Sequence, residues 1–369
     1  MGEQALTTFV ETVCGESHLR VEDDLGDGFV RLRSAEAERR QAAHDIRSTE
    51  DAVIEMLRNA RDADARNIFL AVNREGSTRR LVMIDDGCGV PPAMHEKIFE
   101  PRVTSKLDTM HFDKWGVHGR GMALYSIKAN AEQAYLVLSD TGMGTSLVVE
   151  TNLEKLSEKS DQSTFPQLEP KDDGTYLMRG PKNIVRTACE FALESKKTCA
   201  VYLGSSTDIA ATLYAFGSAA LPASAKAFVR DVGEVPVCKR LALAADPAEF
   251  AAIAAELGLI ISERSARRAM DGTIAPLDDM LEKLRGSGFG QFGGSKSTAA
   301  RRTQDGKGNA AKDRRGLRLT DADAHELGQK VRKAYADIAP RYYLDPNVEP
   351  AIRVNGDAVR ITIPVEKIS

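Results

Sequence analysis

The sequence predicts an α+β fold whose first globular domain is an α/β sandwich, and three observations carry that prediction. An amphipathic helix begins at Ser48-Thr-Glu-Asp51, where a Ser or Thr N-cap and first-turn acids suit the helix dipole, and Ala52, Val53, Met56, Leu57, Ala60 and Ala63 recur at helical spacing. Two strands follow, about 67–73 and 80–84, with Ile68, Leu70 and Val72 alternating in the first and a Gly76-Ser77 turn between them. A long polar loop then runs to Trp115, a helix carries Met122, Leu124, Tyr125 and Ile127, and strands about 134–139 and 146–150 flank the Gly142-Met-Gly144-Thr145 turn. Helix, strands, long loop, helix, strands is the order of a sandwich.

The remaining elements follow in order. Residues 1–45 read as an N-terminal strap, with a short helix over 6–13, an acidic patch at Glu22-Asp23-Asp24 and a charged run from Glu36 to His44; a solvated strap is preferred to a dimerisation arm. The sandwich domain takes 46–152, with Pro91 to Glu100 as a short helix inside it. Residues 153–173 are polar, contain Pro166 and Pro170, and read as a connector. Strands near 175–178 and 198–203, with helices near 183–194, 207–216, 247–257 and 274–284, make 174–284 a second α/β domain. From Arg285 to Arg318 eight glycines and nine Lys or Arg stand against two acids with almost no apolar residues, so 285–318 is read as a flexible basic linker that cannot offset its ordering entropy. An amphipathic helix over 320–338 and a hairpin turning at Asn355-Gly356, expected to complete a sheet, make 319–369 a small C-terminal helix-hairpin element.

Composition narrows the function classes. A length of 369 residues accommodates two domains, and a net charge of -4 argues against a globally basic nucleic-acid binder. Five widely spaced cysteines form no CxxC pair, and six histidines form no HExxH, so a reduced, cytoplasmic location is expected and no metal site of those types is visible. The N-terminus lacks a secretory or myristoylation pattern, and no apolar run is long enough to span a membrane.

Three clusters point to chemistry. Glu55, Asn59 and Asp62 lie at i, i+4 and i+7 of the first helix, so one face presents a carboxylate, an amide and a carboxylate. Glu55 is the candidate base for water, and Asn59 the candidate Mg²⁺ ligand, with Glu55 as a second contact through water. Asp85 of Asp85-Asp-Gly87-Cys-Gly89 could accept a hydrogen bond from an adenine amino group, while Gly87 and Gly89 let the backbone approach the base. In Gly116-Val-His-Gly119-Arg120-Gly121-Met122-Ala123-Leu124 a glycine-rich turn opens a helix, whose amides and dipole suit phosphates. Each cluster alone is weak; their order and spacing are specific.

Together these residues resemble the N, G1 and G2 boxes of the GHKL ATPase superfamily, which covers DNA gyrase B subunits, large heat-shock chaperones, histidine kinases and MutL proteins. The resemblance covers about residues 48–150. It implies a GHKL-type sandwich with ATP beneath a mobile lid, here about 91–118. It also implies a last glycine-threonine box, for which Gly144-Thr145 is preferred over Gly174-Thr175, and lid contacts to phosphate from Thr104, Ser105 and Lys106.

The branch is mixed. Glu55-x-x-x-Asn59-Ala-x-Asp62-Ala63 is similar to the hydrolysing MutL and gyrase type. Lys97-Ile-Phe-Glu-Pro101 with Thr104-Ser-Lys106, and Ser139-x-x-Gly-x-Gly144-Thr145, look like histidine kinases instead. His44-Asp-Ile-Arg-Ser48 resembles a phosphoacceptor box, but Glu55 follows eleven residues later, too close for the helical hairpin such kinases place between. His95, His111 and His118 are read as incidental. The expectation is a Mg²⁺-dependent ATPase acting as a conformational switch or clamp; the alternatives are phosphoryl transfer to a histidine or protein, or ATP binding without turnover. Expected partners are ATP, a second copy of the chain in an ATP-dependent homodimer, and an unidentified protein or DNA client, for which the basic linker 285–318 is the one candidate contact, although a solvated tether is the preferred reading of it. By family analogy a second-domain lysine reaches the γ-phosphate, with Lys182 and Lys239 both available.

Overall fold

A computed structural model of the chain describes residues 21–33, 36–105, 111–113, 115–118, 121–159, 161–170, 176–222, 224, 229, 231–288, 321–342, 345–348, 350–355 and 358–363. Residues 1–293 form one compact unit and 294–369 another.

The first unit opens with strands β1 (Val21–Gly26) and β2 (Phe29–Leu32) and helices α1 (Glu36–Ala43) and α2 (Thr49–Asp62). Strands β3 (Asn67–Glu75) and β4 (Thr78–Asp85) follow, then short strands β5 (Val103–Thr104), β6 (His111–Asp113) and β7 (Gly116–His118). Next come α3 (Ala123–Asn130), β8 (Gln133–Asp140), β9 (Gly144–Asn152), β10 (Gln167–Pro170), β11 (Tyr176–Arg179), α4 (Ile184–Glu194) and β12 (Ala200–Gly204). Helices α5 (Ser206–Ala220), α6 (Pro247–Glu256), α7 (Glu263–Met270) and α8 (Met280–Gly288) end the unit.

The central sheet runs β12-β3-β4-β9-β8, antiparallel throughout except for the parallel β12-β3 pair. Both of its faces are buried. Ile68, Leu70, Leu81 and Met83 point to one core with α2 and α4, while Phe69, Ala71, Val82 and Ile84 point to another with α5, α6 and α7. Alternate residues of a strand face opposite sides, so a strand covered on both sides is apolar at nearly every position, as Leu81-Val-Met-Ile84 is. A fully buried Val, Leu, Ile or Phe contributes about 2 kcal/mol, so burial on both faces holds the helices to the sheet.

The sequence reading sets 174–284 apart as a second domain, and the structure differs. That segment extends the same sheet with β12, Ala200 to Gly204 pairing Asn67 to Ala71, and covers both faces with its helices. Pro91 to Glu100 holds two 3-10 turns, Pro92–Met94 and Lys97–Phe99, in place of one helix. The start of the expected connector is pinned to α2: the buried carboxylate of Glu50 accepts hydrogen bonds from the Lys159 backbone N–H and the Gln162 amide. Buried Arg79 pairs with Glu158 beside it.

The strap also differs. Around Gly26-Asp-Gly28, whose three residues all have positive φ, β1 and β2 form a hairpin, and β2 pairs β5 through Val30 with Thr104 and Arg31 with Val103. Arg31 pairs with Glu100, the Leu32 N–H donates to the Arg102 carbonyl at 3.0 Å, and Glu38 of α1 pairs with buried Arg102 at 2.7 Å. The expected helix over 6–13 lies outside the described residues.

In the second unit, α9 (Asp321–Ile338) leads to a 3-10 turn and a hairpin of β13 (Ala351–Asn355) and β14 (Ala358–Thr362), in register from Ala351-Thr362 to Asn355-Ala358. Among the described residues the hairpin is a two-stranded sheet by itself and does not complete a larger one. Residues 285–288 of the expected linker belong to α8, and 289–318 lie outside the described residues.

Candidate functional site

Helix α2 begins at Ser48, whose side chain accepts from the Asp51 N–H, and its apolar stripe is anchored in the first core. That anchoring turns the opposite stripe, Glu55, Asn59 and Asp62, into a cavity at the sheet edge. Asp85 and Gly89 from the end of β4 and Thr145 from β9 line the same cavity. So do Thr104 and Ser105, within the expected lid segment, and Gly121, Ala123 and Leu124 at the start of α3. Residues from all three clusters therefore share one site.

The floor is held by backbone. Thr145 lies opposite Asp85 in the β4-β9 pair, and its hydroxyl is 3.1 Å from that of Ser139, which also accepts the Val90 N–H at 2.7 Å. The Cys88 N–H donates to the Ala63 carbonyl at 2.8 Å, and the Cys88 carbonyl accepts the Gly142 N–H at 2.7 Å. Gly89 has φ +71°, and a Cβ there would sit 1.9 Å from the Asp140 carbonyl oxygen, so only glycine fits. Gly121 has φ +67° and would meet the Val103 carbonyl oxygen at 2.9 Å.

Asp85 is fully buried, and burial raises its carboxyl from 3.8 to about 7, against the lowering effect of the Gly87 N–H, which donates to its Oδ1 at 2.9 Å. Asp86, by contrast, accepts the Arg66 and Asn67 N–H groups and the Asn67 amide, all at 2.7 Å, and braces the turn. Glu55 pairs with Arg58, whose guanidinium lies 5.7 Å from the Trp115 ring centroid. The Asn59 side-chain nitrogen is buried with no hydrogen-bond partner among the described residues. A buried amide without a partner is costly, and a ligand in the cavity it lines would relieve that cost. Asn59 and Glu55, one turn apart, are hard oxygen donors of the number Mg²⁺ takes from protein when phosphates and water complete its shell, so the residues fit that ion.

Not every expected residue reaches the cavity. Gly87 serves Asp85, and Met122 lines a neighbouring cavity. The expected Gly116–Gly121 turn is partly extended, because Gly116 starts β7 and pairs with Asp113; the helix opens only after Gly121. Lys106, Gly119, Arg120, Gly174 and Thr175 lie outside the described residues. Lys182 and Lys239 do not line the cavity. His95 is structural rather than incidental, since its Nε2 lies 3.1 Å from both the Val90 and Ser139 carbonyls. His44 is exposed just after α1, away from the cavity.

Sequence reasoning missed Phe29, which reaches the cavity from the N-terminal hairpin, and Arg58, which holds Glu55. The signal for Phe29 was present: Asp27-Gly28 before Phe-Val-Arg-Leu is a hairpin turn.

Comparison with known proteins gives a family match over the segment that contributes most of this cavity's lining. Residues 46–175 match the family described as histidine kinase-, DNA gyrase B-, and HSP90-like ATPase. The DNA mismatch repair protein MutL of Clostridium perfringens is 30% identical over 168 residues, 44% of this chain and 25% of that protein. The MutL of Thermus aquaticus is 39% identical over 85 residues, and that of Thermus thermophilus 38% over 87, each covering 23% of this chain and 15% of the relative. The chain thus spans a quarter or less of the length of these relatives. Among the described residues no helix is long and apolar enough to cross a membrane. The match to the histidine kinase-, DNA gyrase B- and HSP90-like ATPase family thus covers residues 46–175, about a third of this chain, and this is the part in which the chain resembles nucleotide-binding proteins.

Proposed function

We propose that the chain hydrolyses ATP in the cavity floored by Asp85 and Thr145 and uses nucleotide state as a conformational switch. The observation that carries this reading is the row Glu55, Asn59 and Asp62 on one face of α2, all lining that cavity. Asp85 accepts the adenine amino group, and Gly89 keeps the wall beside it clear of side chains. The triphosphate extends toward Thr104, Ser105 and the start of α3, where Met122 makes no side-chain cap and leaves the first amides for an anion. Asn59 and, through water, Glu55 would hold Mg²⁺, which would neutralise phosphate charge. Glu55 orients a water molecule and takes its proton as the water oxygen attacks the γ-phosphorus; the bond to the bridging oxygen breaks and its electron pair leaves with ADP. Arg58 fixes the orientation of the Glu55 carboxylate.

The test is Glu55→Ala. Phosphate release should fall by about 100-fold or more, the usual size of a lost general base, while ATP binding persists; wild-type turnover in the variant would remove the mechanism. With γ-labelled ATP, label should appear as free phosphate, whereas stable label on protein would make the chain a phosphotransferase. The relatives are named for DNA mismatch repair, so DNA is the first client to test, by salt-dependent binding with and without residues 286–316. Dimerisation driven by a non-hydrolysable ATP analogue is the second readout of the switch.

A further inference from the structure

Behind Glu55 lies a second cavity, of about 630 Å³, between α1, α2 and the start of α3. Glu55, Arg58 and Ala123 line both it and the nucleotide cavity, so these three residues form the partition between them. We propose that this second cavity receives the inorganic phosphate cleaved from ATP and is its route out of the protein. The inference rests on the hydrolase reading above.

Three features of the inner end suit a phosphate. First, two guanidiniums line it, those of Arg58 and Arg102, each on a side chain only 4% exposed. Each has an acidic partner, Glu55 and Glu38, but a guanidinium carries five donors and can serve a carboxylate and a phosphate together. Second, Arg102 holds φ +63°, a conformation that favours glycine, and it is locked there by its N–H to the Gly121 carbonyl at 2.8 Å and by the Leu32 N–H on its own carbonyl. The fold thus fixes Arg102 between the wall of this cavity and Gly121, which lines the nucleotide cavity. Third, Met122 and Ala123 line this cavity, so the uncapped start of α3 borders both sides of the partition.

The outer end differs. Ala37, Gln41 and Asp45 are exposed there, with the Asp45 carboxylate accepting from the Gln41 amide at 3.1 Å. Asp51, also on this wall, pairs with Lys159 at 2.8 Å. Guanidiniums deep and an acidic rim outside make a site that holds the cleaved anion transiently and binds it weakly near solvent.

The experiment follows cleavage and release separately in the full chain during a single turnover, with acid quench for total phosphate and a fluorescent phosphate sensor for free phosphate. Ala37→Trp puts bulk at the rim, away from the reacting groups; cleavage should keep its wild-type rate while free phosphate appears about fivefold or more later, as expected when a release path is obstructed. Arg102→Met tests the inner end with inorganic phosphate as the probe: product inhibition should weaken by roughly tenfold, the size of one charge-assisted hydrogen bond. Release that tracks cleavage as in wild type in Ala37→Trp, or unchanged phosphate inhibition in Arg102→Met, overturns the assignment. If the wild-type chain cleaves no ATP, the hydrolase reading itself falls, a result distinct from cleavage with unaltered release.

Discussion

The floor and the outer wall of the nucleotide cavity are built from different materials. The floor consists of α2, β4 and β9, long elements with both cores packed against them and a buried carboxylate at their edge. The wall is a three-stranded sheet of β1, β2 and the two-residue β5, held by Arg31-Glu100, Glu38-Arg102 and the buried side chains of Phe29, Leu32 and Val103. Apolar burial is cooperative and hard to undo locally, whereas short strands tied by partly exposed ion pairs open at low cost. The division gives the cavity a rigid floor and a wall that opens more easily.

Four substitutions should separate the two regions. The largest effect belongs to Asp85. Its folded-state carboxyl titrates at about 7 against 3.8 unfolded, so the folded chain binds the extra proton between those values and stability falls as pH rises through that window, by up to ~4 kcal/mol. Chemical denaturation across pH should show that slope in wild type and lose it in Asp85→Asn. ATP affinity should move oppositely, weakening below about pH 7 as the acceptor is protonated, and pH-independent binding in wild type would contradict the assignment of Asp85 to the adenine. Next, Gly89→Val should cost ~3 kcal/mol and abolish nucleotide binding, because a side chain at that φ collides with the Asp140 carbonyl. On the wall, Phe29→Ala should cost ~2 kcal/mol locally, read as faster amide exchange in β2 and β5 with slow exchange retained in β4. Glu38→Ala should be smallest, ~1 kcal/mol, since Glu38 is partly exposed although Arg102 is not. Equal loss of protection in floor and wall for either wall variant would erase the distinction.

Legibility followed the same line. The floor could be read because its signals are local: the cap at Ser48, the i, i+4, i+7 row on α2, the strand running into Asp85-Asp-Gly87-Cys-Gly89, and Gly144-Thr145 on the neighbouring strand. The wall was not read, because Val21 to Gly26 is mostly exposed and acidic, so no apolar alternation marks it, and its pairing with Thr104 spans more than seventy residues of chain. Likewise 174–284 looked like a separate domain because periodicity reports elements and not the sheet they join. The apolar run at Leu81 to Ile84 did carry the clue, since a sandwich with one bare face would have left alternate positions polar.

By itself the sequence determined the helix face with Glu55 and Asn59, the glycine-bearing turn after Asp85, and the α+β class, because each depends on residues close in the chain. Only the tertiary structure decided that β12 and its helices complete the same sheet, that the N-terminal hairpin walls the site, and that a second cavity backs onto Glu55. Those features arise where distant segments meet, and a chain carries no local record of the partner that will bury a given face.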